Sequence, residues 1–595
     1  MFGIGIISLL QVWFLPGLSL LVFAKKIKLI DKLLLCLPLS ITLNYLLVFF
    51  LISLKSYNQI TLSILILIEV CLIFFFSRKD AHIIDSIKKL LSFIEFKKLR
   101  FKLDIIDIFI IFIFLIYIFL AVSNIGNIFS AGDPHTIYNW TLDIINNQIP
   151  SDSYDYPQAT AILSSISFVL FNSLEIEFFS ASIFLIQPLW IFFIGYRLVF
   201  LLKKFENEIK YSLIFVSIIV LYNFRHYLLY INLPDATVVL GAIFGAYILV
   251  LSWKYIKIGP NIETILFCLV MAFPAILKQV GVYTSILFPV MYLIIFYKKD
   301  KNIIKNSILI FITIFLIFSP WYLFKFYDAF INGAGISIYS VAASHNNYDN
   351  KLFHIFTVLH RLFFGYGFIF ILLLIYFSLR DKIAQKIFFV FLLPFFLVYT
   401  FSFGYEFRSF APAMAPVGIL CGIGLSILIK NLKIRFDKRK IKFFYRSILF
   451  LSVIFFIAFM NEIRTFEKLK YLDLQASKKR GDYELNVLLY TFLNKDDEIK
   501  NIYVIHDFNE LSLLPEISHK FIRATCPTFK EIYQKNINKS YYILINLREV
   551  SSKKLKDICK KSLFNRIESV NEKKNIKKIF EYKNYTMYLR EYKKF

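Results

Sequence analysis

The run Ser123–Thr160 (SNIGNIFSAGDPHTIYNWTLDIINNQIPSDSYDYPQAT) contains no Lys or Arg, and within it Asp133 stands directly before Pro134. Asp followed by Pro marks a helix start, with an acceptor at the N-cap and proline at the first helical position. A carboxylate fixed there could take a proton from an acceptor hydroxyl as a general base, hold a divalent metal ion (Mg or Mn), or act only as a cap. The helix it opens is predicted to run to about Gln148 and stop before Pro150; Ile137, Trp140 and Ile144 would share one face, as in an interfacial helix. Asp235 instead follows Pro234, ahead of a predicted helix over Ala236–Trp253, and is either a cap or a second acid near a site. Lys278 and Arg408 are cations at the ends of apolar stretches, where a charge either faces a cavity and serves function or snorkels to headgroups.

These residues must be positioned by membrane-spanning helices. Of 595 residues, 58% are hydrophobic, 18% are charged, and Phe and Tyr number 69 and 36. Soluble domains lie nearer half apolar and a quarter charged, so an ordinary soluble enzyme, a coiled coil and a disordered chain are excluded. Apolar stretches of roughly 20 residues suit helices crossing the hydrocarbon layer, whereas a β-barrel strand would alternate over about 10. The expected fold is an all-α polytopic membrane bundle with a C-terminal extracytoplasmic α/β domain.

Net charge is +27, and its placement sets the expected topology. Basic residues gather in Ala24–Lys32, Arg78–Lys102, Lys203–Lys210, Lys298–Lys305, Arg380–Lys386 and Lys430–Arg446. Cytoplasmic loops collect Lys and Arg, so these are predicted inside and the bare loops outside. About fourteen spans satisfy the alternation, near 2–24, 33–54, 60–77, 104–123, 178–201, 211–229, 236–253, 262–277, 281–297, 306–324, 362–379, 387–402, 411–429 and 447–460. Both termini then lie outside the plasma (inner) membrane of a bacterium. The apolar segment 159–174 is short for a span and is expected to lie in, or dip into, the outer interface. Residues 1–103 form extra helices with a basic cytoplasmic loop, 104–460 a catalytic core with outer loop 124–177, and 461–595 the outer domain, with strands at Ile502–Ile505, Tyr541–Ile545 and Thr586–Leu589.

The remaining motifs carry less. Cys36, Cys71, Cys268 and Cys421 read as packing residues within spans; Cys526 and Cys559 share the outer domain and either pair or stay free. Gly241 and Gly245 form Gly-x-x-x-Gly, a close-packing signal. His345, His354 and His360 match no metal spacing and are expected to be solvated or interfacial.

Asp133-x-x-x-Ile137-Tyr138-Asn139 followed by Tyr156-Pro157 resembles the first outer loop of GT-C superfamily glycosyltransferases, which include protein O-mannosyltransferases and the lipid A aminoarabinose transferase. Leu233-Pro234-Asp235, Lys278-Gln279-x-Gly281, and Arg408 with Pro412 and Pro416 extend the resemblance over roughly residues 104–430. Pro134 departs from the Glu that many members carry, and Val280 from the acid of relatives with Lys-Asn-Glu-Gly. The resemblance implies an inverting transfer of a sugar from a polyprenyl-phosphate donor to a hydroxyl of a glycan, lipid or protein acceptor. Asp133 would be base or metal ligand, Asp235 a second acid, Lys278 and Arg408 would hold the donor phosphate, and Tyr138, Asn139 and Tyr156 would shape the sugar pocket. The alternatives are an O-antigen polymerase or ligase, which would depend on arginines in a large outer loop where this chain is acidic and arginine-poor, and a lipid-linked glycan flippase or transporter, which would show inverted repeats not evident here. No pattern points to nucleic acid.

Overall fold

The computed structural model describes residues 2–79, 104–122, 133–150, 157–171, 187–224, 235–332, 351–363, 365–402 and 407–435, together with five strands between 502 and 590. In chain order the helices are α1 Phe2–Trp13, α2 Leu15–Leu21, α3 Leu29–Ser53, α4 Gln59–Lys79, α5 Ile105–Val122, α6 Asp133–Ile145, α7 Ala159–Phe171, α8 Gln187–Leu201 and α9 Glu206–Phe224. They continue as α10 Asp235–Lys254, α11 Ile262–Leu277, α12 Gly281–Phe296, α13 Ile303–Asn332, α14 Lys351–Leu362, α15 Phe368–Ser378, α16 Lys382–Lys386, α17 Leu393–Ser402 and α18 Ala411–Arg435. A π-helical segment, Ile387–Leu392, joins α16 to α17. Six stretches among the described residues are long and apolar enough to cross a membrane: Leu29–Ser53, Gln59–Phe76, Thr237–Lys254, Ile303–Tyr327, Lys382–Phe401 and Arg408–Leu432. Composition and helices together define a multi-pass helical membrane protein. The expected span 447–460 lies outside the described residues.

The chain divides into two compact units. The first comprises Met1–Asn127, Pro150–Phe171 and Ile176–Glu467; the second comprises Ile128–Ile149, Asn172–Glu175 and Lys468–Phe595.

In the first unit, the expected span 2–24 is broken: α1 and α2 meet at Phe14, whose backbone leaves the helical region just ahead of Pro16. Polar side chains tie the N-terminal helices together. Gln11 Nε2 donates to Asn44 Oδ1 at 3.1 Å and to Glu69 Oε1 at 3.3 Å, and Asn44 Nδ2 returns a bond to the Gln11 carbonyl. With little hydrophobic drive between helices in lipid, such contacts are what hold a peripheral helix such as α4. The segment expected at the interface is instead packed into the bundle. Every residue from Ala159 to Leu170 is buried, where an interfacial helix would leave one face open. Tyr57 Oη and Ser165 Oγ share a hydrogen bond of 2.8 Å, and Gln59 Nε2 caps the Leu170 carbonyl. Cys36, Cys268 and Cys421 are buried packing residues as expected, whereas Cys71 is exposed on α4.

The end of this unit that carries the basic loops is closed by ion pairs. Arg197 of α8 grips Asp31 of α3 through two nitrogens, at 2.6 and 2.8 Å, and Tyr247 of α10 donates to the same carboxylate at 2.5 Å. Lys210 of α9 lies 3.0 Å from Asp104, 2.9 Å from Asp107 and 2.8 Å from Glu206. Burial works against the Lys210 ammonium, yet Glu206, Asp107 and Asp104 outweigh it and hold its pKa above the ordinary lysine value. In the turn before α13, burial would raise the Asp300 carboxyl. Hydrogen bonds from Asn306, Tyr292 and the Asn302 N–H, with Lys257 nearby, hold it below the usual carboxylate range instead.

The second unit contains α6 and a five-stranded sheet, β1 Ile502–Ile505, β2 Phe521–Ala524, β3 Tyr541–Asn546, β4 Ile576–Tyr582 and β5 Tyr585–Arg590, in the order β2-β1-β3-β5-β4. The first three are parallel, with Ile502 opposite both Phe521 and Tyr542; β5 is antiparallel to both β3 and β4. Three strands fall where the sequence places them. The other two, FIRA and IKKIFEY, carry too many charges to stand out as apolar runs. The expected helical pattern at Ser551–Ser562, with Cys526 and Cys559, lies outside the described residues.

Candidate functional site

α10, α11 and α12 form the scaffold on which two of the sequence-selected residues meet. Their close approach is permitted by small residues: a Cβ on Gly241 would stand 2.5 Å from Pro274 Cγ and 3.3 Å from Thr284 Cγ2, and one on Gly245 3.3 Å from Met271 Cε. The Gly-x-x-x-Gly motif is thus a packing surface, as the sequence suggests.

α11 stops at Leu277, and Lys278 takes an extended backbone (φ −154°, ψ 149°) while its N–H reaches back to the Pro274 carbonyl. A tight turn follows, closed by Gly281 N–H on the Lys278 carbonyl at 2.9 Å and Val282 N–H on the Gln279 carbonyl at 3.0 Å. Gly281 backs so closely onto the Pro274 carbonyl that no side chain fits there. The turn points Lys278 across to α10, where its ammonium donates to the carboxylate of Asp235. Both are buried, Asp235 at 1% and Lys278 at 3% exposure. Carrying two opposite charges into a low-dielectric interior is tolerated because each neutralises the other.

Three polar groups on the segments that carry this pair are unsaturated among the described residues. Thr237 Oγ1, half a turn after Asp235, Gln279 Nε2, beside Lys278, and Thr284 Oγ1, in the first turn of α12, are buried with no hydrogen-bond partner among the described residues. Buried polar atoms ordinarily find partners, so these three groups remain available to donate to a polar ligand. The surrounding frame is firm. Tyr322 of α13 donates to the Ala275 carbonyl that the end of α11 leaves open, at 2.8 Å. Tyr283 of α12 donates to the Phe391 carbonyl, at 2.8 Å, within the π-helical segment. On α13, the buried Lys325 lies over the Trp321 ring, 5.2 Å from its centroid.

The other selected residues are placed as follows. Arg408 stands half-buried on the short 3-10 turn Phe407–Phe410 that leads into α18. Asp133 opens α6 in the second unit; Tyr138 and Asn139 follow on the same helix, and Tyr156 and the side chains of all four lie outside the described residues. α6 ends near Asn147, whose φ of 56° is the left-handed residue that closes a helix, with Gln148 N–H on the Asp143 carbonyl at 2.9 Å. Ile137, Trp140 and Ile144 are buried on one face of it.

His354 corrects an expectation: it is buried, not solvated, and its Nε2 meets the Thr400 carbonyl at 2.7 Å. His360 stacks on Phe356, and His345 lies outside the described residues. Among the described residues no group of three or more His, Cys, Asp or Glu could hold a metal ion. Asp235, the described carboxylate of the site, is occupied by Lys278, so the described donor set fits an anion better than a cation.

Sequence reading selected Asp235 and Lys278 but passed over Thr237 and Thr284, and cited Gln279 only as part of a motif. Their signal, a polar side chain left without a partner, exists only in three dimensions.

No protein-family model matches the chain, and no curated protein matches it in sequence. Among solved structures, ArnT from Cupriavidus metallidurans bound to undecaprenyl phosphate is similar at a TM-score of 0.45 and 11% identity, over 81% of this chain and 97% of that one.

Proposed function

We propose that this protein is a membrane glycosyltransferase of the GT-C type, moving a sugar from a polyprenyl-phosphate donor to a hydroxyl acceptor on the extracytoplasmic face. The observation that carries the reading is the buried Asp235–Lys278 pair, set on the same segments as Thr237, Gln279 and Thr284, whose side chains hold buried atoms without partners among the described residues. Two motifs far apart in sequence, Leu233-Pro234-Asp235 and Lys278-Gln279-x-Gly281, supply that pair, as a shared site requires.

In this reading Asp133 accepts the proton of the acceptor hydroxyl as its oxygen attacks the anomeric carbon from the face opposite the phosphate. The anomeric C–O bond then breaks, and the electron pair leaves on the polyprenyl phosphate, with inversion at the sugar. Lys278 and Arg408 stabilise the charge that gathers on that phosphate, in a site shielded from water. Tyr138, Asn139 and Tyr156 surround the sugar, and the polyprenyl tail lies among the spans. A divalent metal, if the reaction uses one, would be held at Asp133. The same reading has about fourteen spans, both termini outside a bacterial inner membrane, and the C-terminal α/β unit outside with them.

Purified protein supplied with a labelled polyprenyl-phosphate hexose and a crude envelope acceptor fraction tests the proposal. A new glycosidic bond is expected, and Asp133→Asn should slow its formation about 10²–10⁴-fold, the usual worth of a general base. Flipping or uptake of the labelled lipid without a new bond would replace this reading with a transporter, and equal turnover by a well-folded Asp133→Asn would remove that residue from the chemistry.

A further inference from the structure

The proposed site presents a conflict: the cation expected to hold a phosphate is already held by a carboxylate. Lys278 and Asp235 are buried together, so an arriving phosphate and the Asp235 carboxylate compete for the same ammonium. Two anions crowded onto one cation in a low-dielectric setting repel each other.

Resting on the glycosyltransferase reading, we propose that Asp235 is the exchangeable counter-ion of Lys278. It holds the lysine side chain in place when no donor is bound, yields it to the phosphate when the donor enters, and reclaims it as the polyprenyl phosphate leaves. Asp235 is therefore a positioning residue that acts through Lys278.

Three features favour exchange over a permanent tie. Lysine is a compact charge on a flexible four-carbon stem, able to change partners by rotating its own side chain, whereas a guanidinium clamped on two oxygens is not. Among the described residues the Asp235 carboxylate accepts from one side chain, Lys278; Asp31, by contrast, accepts from Arg197 twice and from Tyr247 as well. Unsaturated groups on the same segments also suit the incoming anion. The Gln279 amide nitrogen and the Thr237 and Thr284 hydroxyls can all donate to phosphate oxygens, and none of them serves Asp235. The start of α10, where Asp235 sits, adds a positive helix end that favours whichever anion is present.

The experiment is equilibrium binding of a polyprenyl monophosphate to the full chain in lipid nanodiscs, with the uncharged polyprenol as control. It uses wild type, Asp235→Asn, Lys278→Gln and the double variant. Asp235→Asn should bind the monophosphate more tightly, by about tenfold, since it frees the lysine of its competitor while keeping a side chain of the same shape. Lys278→Gln should weaken binding by about ten- to a hundredfold. In the Lys278→Gln background, the Asp235 substitution should have no further effect. A role for Asp235 in folding alone would weaken binding, never tighten it.

Unchanged or weaker binding by Asp235→Asn, with Lys278→Gln still weakened, would overturn the counter-ion proposal while leaving Lys278 as a phosphate holder. Tightening that persists without Lys278 would overturn it too. Lys278→Gln binding as well as wild type, with polyprenol bound equally, would instead sink the reading of the site itself. If Asp235→Asn does not elute as a folded species, Asp235→Ser carries the same comparison.

Discussion

Two buried ion pairs share helix α10, and they are built differently. Past its midpoint, Tyr247 joins Arg197 in bonding both oxygens of Asp31; at its start, Asp235 meets the single ammonium of Lys278 while Thr237, Gln279 and Thr284 go unsatisfied among the described residues. Twelve residues separate Asp235 from Tyr247, about 18 Å along a helix rising 1.5 Å per residue. The first pair uses Arg, whose planar fork matches a carboxylate through two parallel bonds and resists rearrangement. The second uses Lys, set on a turn between helices. A saturated pair has nothing left to bind and holds the helices together. An unsaturated one retains polar atoms whose partner must come from elsewhere. Saturation, rather than burial or charge, distinguishes the two pairs.

That contrast can be broken most easily at the saturated pair. Replacing Arg197 by Met strands the Asp31 carboxylate in the core and should destabilise the protein by about 3–5 kcal/mol, measured as thermal unfolding in detergent. Asp235→Asn, which keeps a polar partner for Lys278, should lose far less. Equal losses would erase the distinction drawn here.

Removing the Tyr247 hydroxyl with Tyr247→Phe takes one charge-assisted bond from Asp31, an expected loss of about 1.5–3 kcal/mol by the same assay. Ligand binding at Lys278 should be untouched, since Tyr247 lies about 18 Å along the helix from Asp235.

At the site, Gly281→Ala forces a methyl group against the Pro274 carbonyl and must shift the turn carrying Lys278. Overpacking of this kind destabilises by about 1–3 kcal/mol. The more telling readout is weaker polyprenyl monophosphate binding, which Tyr247→Phe should not produce.

The smallest effect belongs to Asp300. Its pKa is depressed in the folded state, so the bonds it makes contribute stability above the unfolded carboxylate pKa, and that contribution fades as pH falls through the depressed value. Asp300→Asn should flatten this acid-side decline in melting temperature, by a small amount because the group is near solvent.

Much of the fold is legible in the sequence because lipid permits few solutions. A spanning segment must satisfy its own backbone, so long apolar runs become helices and Lys and Arg gather in alternate loops. Hence α3, α4 and α10 to α13 fall close to the expected spans. The burial of α7 is not legible in the same way. Its shortness reads as the mark of an interfacial segment, yet Ser165 meets Tyr57 inside the bundle. Arg197 and Asp31 were equally hidden, since Asp31 sits within the basic run Ala24–Lys32 and its burial depends on a helix 166 residues away.

The candidate site was legible as separate parts. Asp-Pro and Pro-Asp signatures picked out Asp133 and Asp235, and span ends picked out Lys278 and Arg408. That Lys278 and Asp235 touch, across 43 residues, depends on the turn Lys278–Gly281 and the glycine-lined approach of α10, which no spacing rule conveys.

The central claim is that the unsaturated pair on α10 and α11 is where a lipid-borne phosphate sits. A cryo-EM map of the full chain in nanodiscs with bound polyprenyl monophosphate tests it most directly. The account predicts phosphate density within hydrogen-bonding reach of Lys278 Nζ and of Gln279, Thr237 or Thr284, with the Asp235 carboxylate drawn away from the ammonium. Phosphate bound elsewhere, with Lys278 still on Asp235 and those three side chains unoccupied, would contradict it.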